Sequence, residues 1–333
     1  MTIPMLSICI PTYNRAEYLD KSLCSLICQK RFNEIEVVIS DNCSTDNTEE
    51  IVKKYQTKYG NIFYHKNSEN ILDENFPTVL MKAHGLYRKV FNDNCIYHEG
   101  TLVRIFNHIE KYKDSDKKPF IFFLNLGSPK MKEQIFIGKS MSDFARTVGF
   151  RTTWIGGLGL WKEECEDLHE EFSYCETKLW QTYKAYKLVS QKKYYLISNE
   201  PLVTVMNMKK RDRSYGLYTV FYKNFLSLLE PYLISNELSK DDMYYIRKDM
   251  LYYQFADFVF QIKKDNTVTD YGCETDYRKK IIKEYKHEPY YLTFLFWYLW
   301  NYKICRYFDK PKQLFKKTFL GQILLKIKHK LLK

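Results

Sequence analysis

The stretch that most constrains this chain runs from Leu6 to Asp46. It reads Leu6-Ser7-Ile8-Cys9-Ile10-Pro11-Thr12-Tyr13-Asn14-Arg15, then a helical segment, then Ile35-Glu36-Val37-Val38-Ile39-Ser40-Asp41-Asn42-Cys43-Ser44-Thr45-Asp46. Two short apolar runs each end in a polar turn, and the segment between them has the length of a parallel crossover. Strands connected in this way lie side by side and open their carboxyl ends onto one crevice, where α/β sheets bind ligands. The stretch therefore predicts a nucleotide pocket.

The alternation continues downstream. Ala16 to Cys28 carries Leu19, Leu23, Leu26 and Ile27 as a helical stripe, and Thr48 to Tyr59 is the next helix, with Ser44 or Asp46 available as its N-cap. Ile62 to His65 is a strand, a helix lies near Phe76 to His84, and Gly85 to Phe91 is a strand that stops at Asn92-Asp93-Asn94. Gly100 to Lys111 is helical and Phe120 to Leu124 an apolar strand. This order argues for an α/β fold, a mainly parallel sheet with helices on both faces. Farther on, Ser140 to Val148 reads as a short helix, Thr152 to Trp161 as a glycine-broken strand region, and Glu176 to Ser190 as a helix. Tyr194 to Ile197 and Leu202 to Met206 read as strands, and beyond Tyr215 only helical periodicity remains. A division near 210 separates a sheet domain, 1–210, from a helical C-terminal region, 211–333.

The formal charge of +12 calls for an anionic partner: nucleic acid, an anionic membrane or a phosphorylated substrate. Nucleic acid fits poorly, because the topology and the turn carboxylates suit neither groove readout nor a stacking platform. The nine cysteines form no CxxC pair and do not cluster with histidine, which argues against zinc. Scattered thiols inside apolar segments read as reduced, hence cytosolic. The N-terminus shows no signal peptide, and the aromatic run Tyr290 to Tyr302 is too short and polar to span a bilayer.

Tyr13 can stack on a flat base or simply cover the sheet edge. Asp41 can accept a hydrogen bond from a base imide or a ribose hydroxyl, or cap the turn that follows it. Together, on adjacent strand ends, they favour a nucleotide. With no GxGxxG and no GxxxxGK[ST], the phosphates must be held by a carboxylate-bound cation, by Lys or Arg, or by both. Asp93 supplies the carboxylate, at the end of a strand expected in the middle of the sheet, and Mg or Mn is the matching hard cation. Lys66 is a further candidate on the nucleotide side. The run Lys209 to Arg213, with Lys210 and Arg211, can close on a leaving diphosphate and neutralise its charge. From Lys312 to Lys333, apolar residues at helical spacing alternate with lysines and no acid, which fits either an anionic membrane surface or packing on the preceding aromatic segment.

These segments resemble the family 2 glycosyltransferases of the GT-A fold, which build bacterial surface polysaccharides. Ile8 to Arg15 matches the "SxxIPTYNR" opening, Val37 to Thr48 the "VVxDDxSxDxT" segment, and Leu86 to Leu102 the strand, acidic turn and helix that carry a DXD metal motif. Trp154 to Leu160, followed by Glu176-Thr177-Lys178-Leu179, resembles the glycine-rich loop and the "ED" acceptor-side motif. The resemblance implies that Pro11 and Tyr13, with Asn14 beside them, line a base pocket and that Asp41 binds base or ribose. It puts Asp93 beside the diphosphate and its metal, and Trp154, Gly156 and Gly157 on the phosphate and acceptor side. Glu176 falls where the family has its general base, which deprotonates the acceptor hydroxyl for inverting attack. Two departures stand out. Asn42 replaces the second Asp of "DD", and Asn92-Asp93-Asn94-Cys95 keeps one acid where the family has two or three. Glu163, Glu164, Asp167 and Glu170 are alternative bases.

The expected protein is a hexosyl- or related glycosyltransferase. It would take a nucleotide-sugar donor, a UDP-sugar, and act on a lipid-linked surface glycan, peripherally on the inner face of the cytoplasmic membrane. A nucleotidyltransferase is the rival enzyme, although it would want a Gly-rich, basic loop after the first strand. A GT-A-like binding protein that has lost catalysis is the rival of another class, and the single acid at Asp93 keeps it in contention.

Overall fold

A computed structural model describes residues 3–125, 131, 133–207, 215–256 and 274–298. Strands β1 (Leu6–Thr12) and β2 (Ile35–Asp41) are parallel neighbours, with Thr12 in register with Asp41. Every residue of both strands is buried, as expected of parallel strands covered on two faces. Helix α1 (Ala16–Ile27) is the crossover between them, and α2 (Thr48–Gln56) leads on to β3 (Ile62–Lys66), parallel to β2. Asp46 ties the two helix starts together: Oδ1 accepts from the Thr48 amide and Oδ2 from the Ala16 amide. One carboxylate thus meets the positive ends of two helix dipoles.

Helix α3 (Asn75–Met81) precedes β4 (Tyr87–Val90), which pairs in parallel with the other edge of β1. Next come β5 (Cys95–Tyr97), α4 (Thr101–Tyr112), β6 (Phe120–Phe123), β7 (Ile135–Gly138) and α5 (Met141–Thr147). The sheet unit is completed by β8 (Leu158–Trp161), α6 (Trp180–Lys192), β9 (Tyr195–Ser198) and β10 (Val203–Val205). The large sheet has the order β3-β2-β1-β4-β8-β6-β9-β7, and β5 and β10 form a separate antiparallel pair. Strands β8 and β7 run antiparallel to their neighbours, and the other pairings are parallel. The α/β architecture with a mainly parallel sheet is therefore as expected.

The core follows the alternation of the strands. Leu6, Ile8 and Ile10 of β1 and Val37 and Ile39 of β2 share one cluster with Leu19, Leu23 and Leu26 of α1 and Leu102, Ile105, Phe106 and Ile109 of α4. Each such leucine, fully buried, contributes roughly 2 kcal/mol of apolar transfer, and the sum fixes the strand ends that carry the site.

Several local expectations are corrected. The expected helix from Glu176 starts at Trp180, because Lys178 adopts the left-handed conformation, φ 59°, and interrupts it. The region Thr152–Trp161 is a strand only from Leu158; the preceding residues form 3-10 turns. Of the two expected caps, Asp46 takes the role, its Oδ1 accepting from the Thr48 amide, whereas the Ser44 hydroxyl accepts from the Asn14 amide.

The chain divides into two compact units, Met1–Arg247 with Asn266–Thr275, and Lys248–Asp265 with Asp276–Lys333. The expected boundary at 210 thus falls inside the first unit. Residues 215–247 stay with the sheet through specific bonds: Tyr215 Oη to Asp73 at 2.6 Å, Asn224 Nδ2 to the Thr177 carbonyl at 3.0 Å, and Ser142 Oγ to Asp242 at 2.6 Å. In the second unit the helices Tyr277–Tyr285 and Tyr291–Tyr298 are described, and Tyr252 and Phe294 pack edge to face at 5.1 Å. Among the described residues no helix is long and apolar enough to cross a membrane. Lys210, Arg211 and the basic segment 312–333 lie outside the described residues.

Candidate active site

The carboxyl ends of β1, β2 and β4 meet at one edge, where the turns after β1 and β2 are stitched together. Asn14 sits at φ 50°, a left-handed conformation that asparagine tolerates better than most residues. Its amide donates to Ser44 Oγ at 2.8 Å, and its Oδ1 accepts from the Thr45 amide at 2.8 Å. Pro11 is buried in β1, whereas the Tyr13 side chain is exposed on a backbone held from both sides. A ring presented this way is accessible to a flat base.

Asp41 is fully buried. Its Oδ1 accepts from the Ser44 amide at 2.9 Å and its Oδ2 from Tyr64 Oη at 2.5 Å. Burial and this carboxylate together push the Tyr64 hydroxyl far up from its ordinary pKa. Asp41 therefore closes its turn, and a ligand group reaching it shares its oxygens with the Ser44 amide and the Tyr64 hydroxyl. Lys66, in register with Asp41 at the end of β3, is exposed and pairs with Glu49 at 3.2 Å. Asn42 gives a reason for departing from "DD". Its Nδ2 donates to Asn70 Oδ1 at 2.7 Å and to the Leu72 carbonyl at 3.1 Å, and an aspartate has no such donor.

Asp93 lies just past the end of β4 and is 1% exposed. Thr12 Oγ1 donates to its Oδ2 at 2.9 Å, and Arg15 Nη1 to its Oδ1 at 3.1 Å. Burial pushes the carboxyl upward, opposed by the Arg15 guanidinium and the Thr12 hydroxyl. Next to it, Asn94 bonds both ways with Met206 at the end of β10: Nδ2 donates to the Met206 carbonyl at 3.1 Å, and the Met206 amide donates to the Asn94 carbonyl at 2.8 Å.

The expected Mg or Mn ion can be tested against these donors. A hard dication wants several free oxygens. Here the single carboxylate of the turn is buried with both oxygens committed, and its neighbours are amides and a thiol. Among the described residues no three His, Cys, Asp or Glu side chains group to hold a metal. Among the described residues, the donors of this turn do not by themselves complete the coordination of such an ion.

The glycine-rich loop enters from the adjacent strand. Because β8 is antiparallel to β4, with Lys89 opposite Gly159, the residues before Leu158 come alongside the Asp93 end of β4. The glycines have a packing reason. A Cβ on Gly156 would lie 2.3 Å from the Trp154 ring, and one on Gly157 2.3 Å from the Phe122 ring. The loop is also pinned from below by Lys89, whose buried ammonium donates to the carbonyls of Gly156, of Leu158 at 3.1 Å and of Val90 at 3.2 Å. The Phe91 and Phe123 rings lie 4.5 and 4.8 Å from it. Burial lowers its pKa from 10.5 to about 7.

Glu176 is exposed on the 3-10 segment Leu168–Thr177, which packs on α3 and on the turn Leu72–Glu74. Among the described residues no hydrogen bond joins it to the Asp93 group. Glu163 and Glu164 are poorly placed as alternative bases. They follow Trp161, which pairs with Tyr87, and Tyr87 is six residues from Asp93 along the β4 direction, about 20 Å of extended chain. The structure thus gathers Tyr13, Asn14, Asp41 and Asp93 at one edge and sets the loop of Trp154, Gly156 and Gly157 beside them. Arg15, Tyr64 and Lys89 were not anticipated. Lys89 carried a signal, a cation within a central strand, but nothing local pairs Arg15 with an acid 78 positions away.

Residues 7–153 match the family model for glycosyl transferase family 2. That stretch is similar to a family 2 glycosyl transferase domain. The chain is 38% identical over 113 residues to the abequosyltransferase RfbV of Salmonella typhimurium, and that match spans 33% of this chain and 34% of the relative. It is 25% identical over 297 residues to the GalNAc(5)-diNAcBac-PP-undecaprenol beta-1,3-glucosyltransferase of Campylobacter jejuni, covering 79% of this chain and 85% of that one. Among solved structures, S. aureus TarS 1-349 in complex with UDP-GlcNAc superposes with a TM-score of 0.57 at 18% identity, over 84% of this chain and 80% of that one. That likeness shows a shared GT-A fold.

Proposed function

We propose that this protein transfers a sugar from a nucleotide-activated donor, a UDP-sugar, to a hydroxyl of a surface-glycan acceptor, with inversion. The observation that carries the reading is the meeting of Tyr13, Asp41 and Asp93 at the carboxyl ends of three adjacent parallel strands. Tyr13 stacks on the base, with Pro11, Asn14, Asp41 and Lys66 on the base and ribose side, and the diphosphate lies toward Asp93. Trp154, Gly156 and Gly157 face the sugar and the acceptor. Lys210 and Arg211 neutralise the leaving diphosphate. Glu176 takes the proton of the acceptor hydroxyl, whose oxygen attacks the anomeric carbon opposite the departing nucleotide. This step requires the carboxylate within about 3 Å of the hydroxyl. The reading takes no step through a metal ion.

The acceptor is proposed to be lipid-linked, on two supports. The name of the Campylobacter relative specifies a glycan on an undecaprenyl diphosphate. The segment 312–333 combines lysines with apolar residues at helical spacing, as binding to an anionic membrane surface requires. The working place is then the inner face of the cytoplasmic membrane.

A thermal-shift screen of nucleoside diphosphates and nucleotide sugars tests the donor, because a ligand that binds only the folded state raises its apparent stability. Stabilisation by a UDP-sugar is expected, and Glu176→Gln should bind the donor normally while losing transfer. No stabilisation by any nucleotide would sink the reading.

A further inference from the structure

We propose that Arg15 supplies the cationic charge for the donor diphosphate, in place of a divalent ion, with Asp93 as its positioning residue; this rests on the donor reading above. Arg15 is the residue before α1, and its carbonyl accepts from the Tyr18 and Leu19 amides at 3.0 Å each, so its backbone is fixed by the helix start. The side chain crosses from the β1 turn to the β4 turn and meets Asp93 through Nη1 alone. The side chain is 32% exposed, and Nε and Nη2 have no partner among the described residues. A guanidinium offers five N–H donors in a planar fork suited to phosphate oxygens, so most of this one remains available to the crevice.

Charge complementarity points the same way. Asp93 is the single acid of its turn, and Arg15 already balances it. A dication ligated by Asp93 would compete with Thr12 and Arg15 for the same two oxygens and would sit beside a guanidinium. Like charges at such range repel strongly where water is scarce. A diphosphate arriving at the same edge meets a preorganised cation and needs no rearrangement of Asp93. Asp93 then acts through Arg15: Thr12 and the carboxylate hold the guanidinium in one orientation, which lowers the entropy lost when phosphate oxygens bind.

The test is calorimetry of UDP binding to the full chain, once in EDTA and once in excess MnCl2. For the wild type, dissociation constants agreeing within about threefold are expected. Arg15→Gln should weaken binding in EDTA by roughly 10- to 100-fold, the range for losing charge-assisted hydrogen bonds, and Arg15→Lys should regain part of it. Asp93→Asn should weaken metal-independent binding by a smaller factor than Arg15→Gln, because the cation remains but loses the carboxylate that orients it. Circular dichroism and melting curves confirm that each variant is folded. Wild-type binding that disappears in EDTA and returns with Mn²⁺ overturns the inference, as does an Arg15→Gln protein of undiminished affinity in EDTA. Absence of UDP binding in both buffers overturns the donor reading itself, and so is distinguishable.

Discussion

Lys89 makes a sharp prediction about stability and pH. The ammonium is fully buried under the Gly156 loop with three carbonyls and no acid, and burial lowers its pKa from 10.5 to about 7. The sign follows from proton counts. Below about pH 7 the lysine is charged in both states, and the folded protein carries the full cost of burying it. Between about pH 7 and the ordinary lysine value, the unfolded chain binds a proton that the folded one does not, so stability rises with pH. Integrated from pH 7 to 8.5, the gain is about 1.5 kcal/mol, from roughly 1.4 kcal/mol per pH unit of full difference. Lys89→Met removes the titrating group while keeping an unbranched side chain. Urea unfolding followed by tryptophan fluorescence at several pH values should show the wild type gaining on the variant by about that amount across the window. The thiols of Cys9, Cys95 and Cys165, which burial pushes up, act in the opposite direction, and taking the difference between wild type and variant removes their contribution. A wild-type-to-variant difference that stays flat from pH 7 to 8.5 would refute a lysine titrating near 7.

Three further outcomes can be checked directly. Tyr13→Ala should weaken UDP binding by roughly tenfold with little change in melting temperature, since an exposed ring adds stacking of about 1–3 kcal/mol per base and no core contact. Gly157→Ala should cost about 1–3 kcal/mol in urea unfolding, because the new methyl meets the Phe122 ring at 2.3 Å; a neutral result would show that the loop gives way easily. Glu171, 3% exposed, accepts from Lys184 at 2.9 Å, Lys187 at 2.8 Å and Trp180 Nε1 at 3.1 Å. Glu171→Ala leaves a buried lysine uncompensated and should destabilise by about 3–5 kcal/mol, read as a fall in urea midpoint.

What could be read from sequence was what repeats locally. β1 and β2 announced themselves as apolar runs with polar ends, and the stripes of α1 and α4 fall where their leucines and isoleucines predict. Strand β5 escaped because three residues carry no period, and β7 because it is a four-residue edge strand with Ile135 and Ile137 exposed. The glycine loop was legible as a place of close approach but not in its cause: the rings of Trp154 and Phe122 are brought onto that backbone only by the fold.

Returning to Leu6–Asp46, its sequence determined two adjacent parallel strands and the polar turns at their ends, because hydrophobic periodicity and crossover length are local properties of the chain. Tertiary structure decided how the charges within and around those turns are paired. It turned Asp41 inward onto Tyr64, brought Arg15 across to Asp93, and set Lys89 beneath the loop that flanks them. The physical reason is electrostatic. A buried charge is tolerated only where partners from distant segments converge on it, and no local pattern says which segments those are.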